Sequence, residues 1–380
     1  MVEASGARFH VITAVWGEEY IDLFTRVIVP NLLSPGNLDA LPEGSRYRIF
    51  TAPSDHVRLS EAVRRLTTVL PVDLVTVESA PTNRHAQMTH YHRQGIAEAM
   101  QCGAAMIFAS PDSLLSAGAL QHVVARQLCG VRAVVTPPTR LTKESALSAL
   151  AVRGSEVFRP RDLVRFALEH LHPATLACMK DSRRFKAFPT SLQWQVGDEG
   201  WILRSLHLYP LMIDPVRPVL PTGTIDSHYI ERCVPSMDDI EVVTDSDVLS
   251  MFDLTAAQNH DGRTKTRTLR EWRLACSAGR CTPHHLMFLR HAVLIHAEPL
   301  NERWTAVEAA SAEVANRVLA RRQLARRFLP VLRLVDSFQQ RGEHRAKVLR
   351  RRVIRATNEA RRELRMVKRL LRRGAKRYSR

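Results

Sequence analysis

No stretch of this 380-residue chain approaches the roughly 18 consecutive apolar residues that a membrane-spanning helix requires. The short signatures of several large enzyme classes are missing too. There is no Gly-x-Gly-x-x-Gly, no phosphate-loop Gly-Lys-Ser/Thr, no Gly-x-Ser-x-Gly and no His-Glu-x-x-His, which argues against dehydrogenase, kinase, esterase and zinc-protease readings. Cysteine is sparse. Six residues, at 102, 129, 178, 233, 276 and 281, are too scattered for a disulfide framework and are expected as reduced thiols. The first apolar run, Phe9 to Trp16, is short and lacks the basic lead of a secretory signal, so a cytoplasmic location is expected.

The composition is otherwise that of a globular protein, 45% hydrophobic and 24% charged, long enough for two or three domains. Acidic residues are in deficit, with a net charge of +17, but the deficit is local. Residues 341–380 carry 17 Lys and Arg against 3 Glu, a net of +14; the preceding 340 residues carry 38 against 35. The basic character describes an appendage, and the function of the body has to be read elsewhere.

Over the first 140 residues, short β-rich runs alternate with helical patterns, as in βα units on a mainly parallel sheet. Strands are expected at Phe9–Val15, Tyr47–Thr51, Val72–Val77, Ala104–Ala109 and Arg132–Thr136, with helices at Tyr20–Leu33, Val57–Leu70, Met88–Gln101 and Ala117–Cys129. Further on, Pro160 opens a helix. Ser191–Val196 and Trp201–Ile213 flank the turn Gly197-Asp198-Glu199-Gly200 and are expected to form a hairpin. From Pro283 onward the pattern reads as helical, including Leu286–Ala297 and a long helix from about Trp304.

The segment that carries chemistry runs from Met88 to Asp112: a helix, a stop at Gly103, a buried strand, then Ser110-Pro111-Asp112. In an open α/β sheet the carboxyl ends of the strands open into the ligand crevice, and a carboxylate there can hold a divalent cation against a diphosphate. Arg93, Gly95, Ala99 and Gly103, followed by Ser-Pro-Asp where Asp-x-Asp would stand, resemble the GT-A fold of nucleotide-sugar glycosyltransferases over roughly residues 8–140. The resemblance implies a GT-A-like, mainly parallel α/β fold with an acceptor-side extension and a helical C-terminal region. It implies a donor site that includes Thr13, Val15, Thr51, Arg93, Ser110 and Asp112. Mn²⁺ or Mg²⁺ is implied at Asp112, with a weakened dependence because Ser110 replaces one acidic ligand. Apart from the resemblance, Ser-Pro-Asp also reads as the cap of the next helix, and Arg93 as part of an exposed helix face.

A rival acidic pair, Asp245-Ser246-Asp247, lies outside the βα series and is expected to cap a helix at Val248–Phe252. A base for an acceptor hydroxyl is sought among carboxylates and imidazoles; Asp226, after a Gly-containing loop, and His207 are the candidates, each with a plain structural alternative as a turn carboxylate and a strand histidine. Cys276, Cys281, His284 and His285 could ligate zinc, but they crowd into ten residues, unlike the two separated pairs of structural zinc sites.

In the tail, Leu349, Val353, Leu364 and Leu371 fall on one apolar stripe of an otherwise basic helix. An anionic membrane is the favoured partner and nucleic acid the disfavoured one, since few aromatics interleave the charges. The expected organisation is a nucleotide-sugar-binding domain over 1–150, an acceptor-side region over 151–300 and a helical, basic end over 301–380. The function expected is sugar transfer from a nucleotide-sugar donor to a glycan or lipid-linked acceptor at the inner membrane face. An inactive relative that uses the fold as a scaffold, with the tail bound to nucleic acid, is the alternative.

Overall fold

The computed structural model describes residues 8–78, 83–182, 184–186, 189–226, 228–259, 264–266, 270–328 and 330. The chain divides into two compact units, Met1–Gln323 and Leu324–Arg380. In the second, the described residues 324–328 and 330 are helical, and the basic stripe at 341–380 lies outside the described residues.

The first unit is mixed α/β. Its strands are β1 Phe9–Ala14, β2 Arg46–Thr51, β3 Val72–Thr76, β4 Ala105–Phe108, β5 Ser113–Leu115, β6 Ala133–Thr136, β7 Thr139–Thr142 and β8 Arg184–Lys186. They continue as β9 Ser191–Val196, β10 Gly200–Ser205, β11 Tyr209–Ile213, β12 Ile240–Val242, β13 Met251–Thr255, β14 Thr264–Thr266 and β15 Val293–His296. Seven form the central sheet in the order β12-β6-β11-β4-β1-β2-β3, with every pairing parallel except the two made by β11. The mainly parallel fold class is as expected. β1 and β4 are buried at every residue, which is why they read as continuous apolar runs.

The helix Arg84–Gln101 leads into β4. The Asn83 side chain caps it by accepting from the Ala86 N–H at 2.9 Å, and Gly103, at φ +62°, ends it in the left-handed region. Gly95 lets the helix lie directly on the sheet: a Cβ there would stand 2.8 Å from the Phe50 ring and 3.0 Å from Ile12.

Three expectations are corrected. The strand expected over Trp201–Ile213 is two strands: β10 pairs with β9, whereas β11 inserts antiparallel between β4 and β6, with a register shift after Pro210, which has no N–H to give the ladder. The helix expected at Val248–Phe252 gives way to β13, whose Phe252 and Leu254 face inward while Asp253 and Thr255 alternate to the other face. The helical reading of Leu286–Ala297 holds only to Arg290; Val293–His296 then pairs with β10.

Strands from beyond residue 150 complete the central sheet, and the first compact unit runs through both 150 and 300. Glu199, in the β9–β10 turn, accepts from Asn301, Arg303 and the Trp304 indole at 2.8–3.0 Å and so anchors the start of the helix covering 302–323.

Candidate active site

The order of the central strands reverses at β1, with β2 and β3 on one side and β4 on the other, so a crevice opens beyond their carboxyl ends. Ser110-Pro111-Asp112 leaves β4 at this point. The segment does not cap the following helix, which starts at Ala119 behind Gly118. Instead the Ser110 hydroxyl donates to Asp112 Oδ1 at 2.5 Å, and the Asp112 carbonyl accepts from the Leu254 N–H at 2.7 Å.

That backbone bond brings β13 alongside. β13 pairs with β5 on one edge and β7 on the other, and the register sets Asp253 opposite both Ser113 and Arg140. The Ser113 hydroxyl donates to Asp253 Oδ1 at 2.5 Å. Two carboxylates thus meet at the mouth of the sheet. Burial, followed by the neighbouring Asp112 charge, raises the Asp253 pKa to about 7. Asp112 is raised by burial, against the hydrogen bond from Ser110 and the charges of Arg140 and Lys143. The donor set is all oxygen, hard and excess in negative charge, which suits Mg²⁺ or Mn²⁺. Ser110 does not supply a second carboxylate, but Asp253 does, from 141 residues downstream of Asp112.

Beside the pair lies a cavity of about 190 Å³ lined by Glu19, Tyr20, Arg84, Lys143, Leu254 and Asn259. Lys143 pairs with Glu19, and the Tyr20 hydroxyl is raised by burial and then by the Asp112 charge. The walls carry two cations, Arg84 and Lys143, and one carboxylate, Glu19, and through Tyr20 the cavity lies within reach of the Asp112 charge, an arrangement that can hold an anionic, phosphorylated ligand.

The other expected residues are placed as follows by the fold. Thr13, Val15 and Thr51 are fully buried. The Thr13 hydroxyl donates to the Ala109 carbonyl and meets the Tyr47 hydroxyl, both at 2.8 Å, so it braces the floor rather than lining its surface. Arg93 donates to the Pro221 carbonyl at 2.7 Å, tying the helix before β4 to the loop that carries Asp226. Asp226 is exposed, and its charge acts on Asp253, His92 and Tyr209. Tyr209 donates to the Phe108 carbonyl at 3.0 Å. His207 lies in the link between β10 and β11, between the buried Leu206 and Leu208; burial lowers its pKa, against the charge of Asp226 and a hydrogen bond to the Asp226 backbone.

The rival Asp245 and Asp247 are committed elsewhere. His296 reaches Asp245 Oδ1 through Nε2 at 2.9 Å and the Glu298 carbonyl through Nδ1 at 2.7 Å, and Arg161 grips Asp247 through both oxygens. With an acceptor at each ring nitrogen the buried His296 is an imidazolium, and it presents protons where a metal would need a lone pair. Burial alone would lower its pKa, but the hydrogen bonds to Asp245 and the Glu298 carbonyl together with the charges of Asp245 and Asp247 raise it, while the pKa of Asp245 is lowered by the bond they share. The stability that His296 adds is full below its unfolded value of about 6.5 and is lost as pH rises through the raised folded value. His296→Gln is therefore expected to lower the melting temperature at pH 6 and to flatten its fall as pH rises above the unfolded value of about 6.5, read by thermal denaturation across a pH series.

The sequence quartet of zinc ligands is dispersed. Cys281 donates to the Ser277 carbonyl at 3.3 Å, His284 Nε2 bonds the Val234 carbonyl at 3.2 Å, and His285 turns toward His207.

No family model matches the chain, and no curated protein matches it. Among solved structures it is similar to the mannosyltransferase PcManGT from Pyrobaculum calidifontis in complex with GDP-Man and Mn²⁺, at 14% identity over 88% of this chain and 79% of that one, with a TM-score of 0.32.

Proposed function

We propose that this protein is a GT-A-like glycosyltransferase that moves a sugar from a nucleotide-sugar donor to an acceptor hydroxyl. The observation that carries the proposal is Asp112, just beyond the end of β4, with the Asp253 carboxylate of β13 near enough to feel its charge, close to a cavity walled by Arg84 and Lys143. Mn²⁺ or Mg²⁺ held by Asp112 and Asp253 would neutralise the diphosphate leaving group. Arg84 and Lys143 would hold the phosphates from the cavity wall, and Tyr20 would close it. Asp226 is the base: it takes the acceptor proton as the new bond to the anomeric carbon forms and the bond to the diphosphate breaks. His207, hydrogen-bonded to the Asp226 backbone, positions that residue, and Arg93 fixes the loop from its other end. Release of nucleoside diphosphate from a panel of nucleotide sugars, with and without Mn²⁺, tests the reading.

We place the acceptor on a lipid carrier at an anionic, cytoplasmic membrane face. No helix among the described residues is long and apolar enough to cross a bilayer, and attachment is assigned to residues 341–380. Their net charge of +14 supplies attraction and their apolar stripe a salt-resistant term. Deleting 341–380 is expected to abolish co-sedimentation with anionic vesicles while donor turnover continues. In the full chain, raising salt should weaken vesicle binding only in part. Indifference to vesicles together with steeply salt-dependent RNA or DNA binding would favour the scaffold reading instead.

A further inference from the structure

Arg140 stands beside the acidic pair without bonding to it. It lies in β7, where Thr139 and Leu141 are buried while Arg140, alternating to the other face, is exposed. The parallel register with β13 sets Arg140 opposite Asp253, and β13 in turn sets Asp253 opposite Ser113, so the three residues form one row on the same face of the small sheet β5-β13-β7. The backbone of Arg140 is clamped on its other edge. Its N–H donates to Thr175 Oγ1 at 3.2 Å, and its carbonyl accepts from the Thr175 hydroxyl at 2.9 Å and from the His172 N–H at 3.0 Å. The root of the side chain is thereby fixed.

The guanidinium itself is uncommitted. Among the described residues it makes no hydrogen bond and no ion pair, although its charge acts on both Asp112 and Asp253. Lys143, whose charge also acts on Asp112, differs in being paired with Glu19. A cation within the field of two carboxylates, yet bonded to neither, leaves its own hydrogen-bonding capacity for a ligand. The order of charges defines that ligand. A divalent ion on the carboxylates presents positive charge outward, and a group placed between that ion and a guanidinium is stable there only as an anion.

We propose that Arg140 is a diphosphate-binding residue, whose guanidinium receives oxygens of the leaving diphosphate that the divalent ion does not hold. Its planar fork can pair with two oxygens of one phosphoryl group, which an ammonium cannot do. As the bond from the anomeric carbon to the diphosphate breaks, the electron pair stays on the diphosphate oxygen, and a guanidinium already in place stabilises the charge that results. That the anion is a sugar donor rests on the reading of the protein as a glycosyltransferase; the anion site at Arg140 can be measured without it.

The test is calorimetric titration of the full-length protein with inorganic pyrophosphate, in Mg²⁺ and again in chelator, for the wild type, Arg140→Gln, Arg140→Lys and Arg46→Gln. Arg46 is exposed at the amino end of β2, the opposite end of that strand from the crevice, and controls for the loss of one positive charge. Arg140→Gln is expected to weaken pyrophosphate binding at least about 10-fold in both conditions. Arg140→Lys should recover part of that loss, and Arg46→Gln should bind as the wild type does. Absence of saturable pyrophosphate binding in the wild type, unchanged affinity in Arg140→Gln, or an equal loss in Arg46→Gln would overturn the proposal. Pyrophosphate binding that depends on Arg140, in a protein that turns over no nucleotide sugar, would uphold the anion site and overturn the transferase reading instead.

Discussion

Asp253→Asn is expected to lower donor turnover by about 10²–10³-fold, and Asp112→Asn by a similar factor, because each removes half of the negative charge that holds the cation against the diphosphate. The double variant should lose little more than either single one, since both carboxylates serve the same ion. Misfolding can be separated from lost chemistry through the sign of the pKa shift. The native Asp253 carboxyl binds its proton more tightly than the unfolded chain does, with a pKa of about 7. Wild-type stability therefore falls as pH rises through about 7, and Asn, which keeps the geometry next to Ser113, escapes that fall. A variant that melts at or above the wild-type temperature at pH 8 and still turns over donor at the reduced rate is the expected outcome; nucleoside-diphosphate release and melting curves across pH measure both.

The second large effect is expected at Asp226. Replacing it by Asn leaves the donor cavity and the acidic pair in place but removes the proposed base, so kcat should fall by about 10²–10⁴-fold with donor affinity nearly unchanged. His207→Gln, acting through the placement of Asp226, should cost less and should leave the pH dependence of kcat in the same form. Steady-state kinetics with donor and acceptor varied separately distinguish the two variants. A full-strength Asp226→Asn would move the role of base to another residue.

The parts of this arrangement that were legible in the sequence are those set by local pattern. The apolar run Phe9–Ala14, the Gly103 stop and the buried Ala105–Phe108 define strands whose ends must form a crevice, and Asp112 follows from its place in that order. The second carboxylate was hidden for a physical reason. Met251-Phe-Asp-Leu-Thr255 is a short segment with no turn signal of its own, and Asp253 comes near Asp112 only through a sheet register that sets it opposite Ser113 and Arg140. The alternation of Phe252 and Leu254 with Asp253 and Thr255 was the available signal, but the nearby acidic turn suggested a helix start. The pair Asp245 and Asp247 shows the converse. Its spacing fits a metal motif better than Ser-Pro-Asp does, yet Arg161 and His296, brought in from far along the chain, neutralise it. In sequence His285 stands beside Cys281 and His284, whereas tertiary structure gives it other neighbours, His207 and His228.

The most direct measurement is release of nucleoside diphosphate from a panel of nucleotide sugars by the full-length protein in Mn²⁺, run in parallel with Asp112→Asn, Asp253→Asn and Asp247→Ala. The account predicts turnover of at least one donor, its loss in the first two variants and on chelation, and its retention in Asp247→Ala. No release from any donor, or release that survives in Asp112→Asn and Asp253→Asn but disappears in a folded Asp247→Ala, would contradict it.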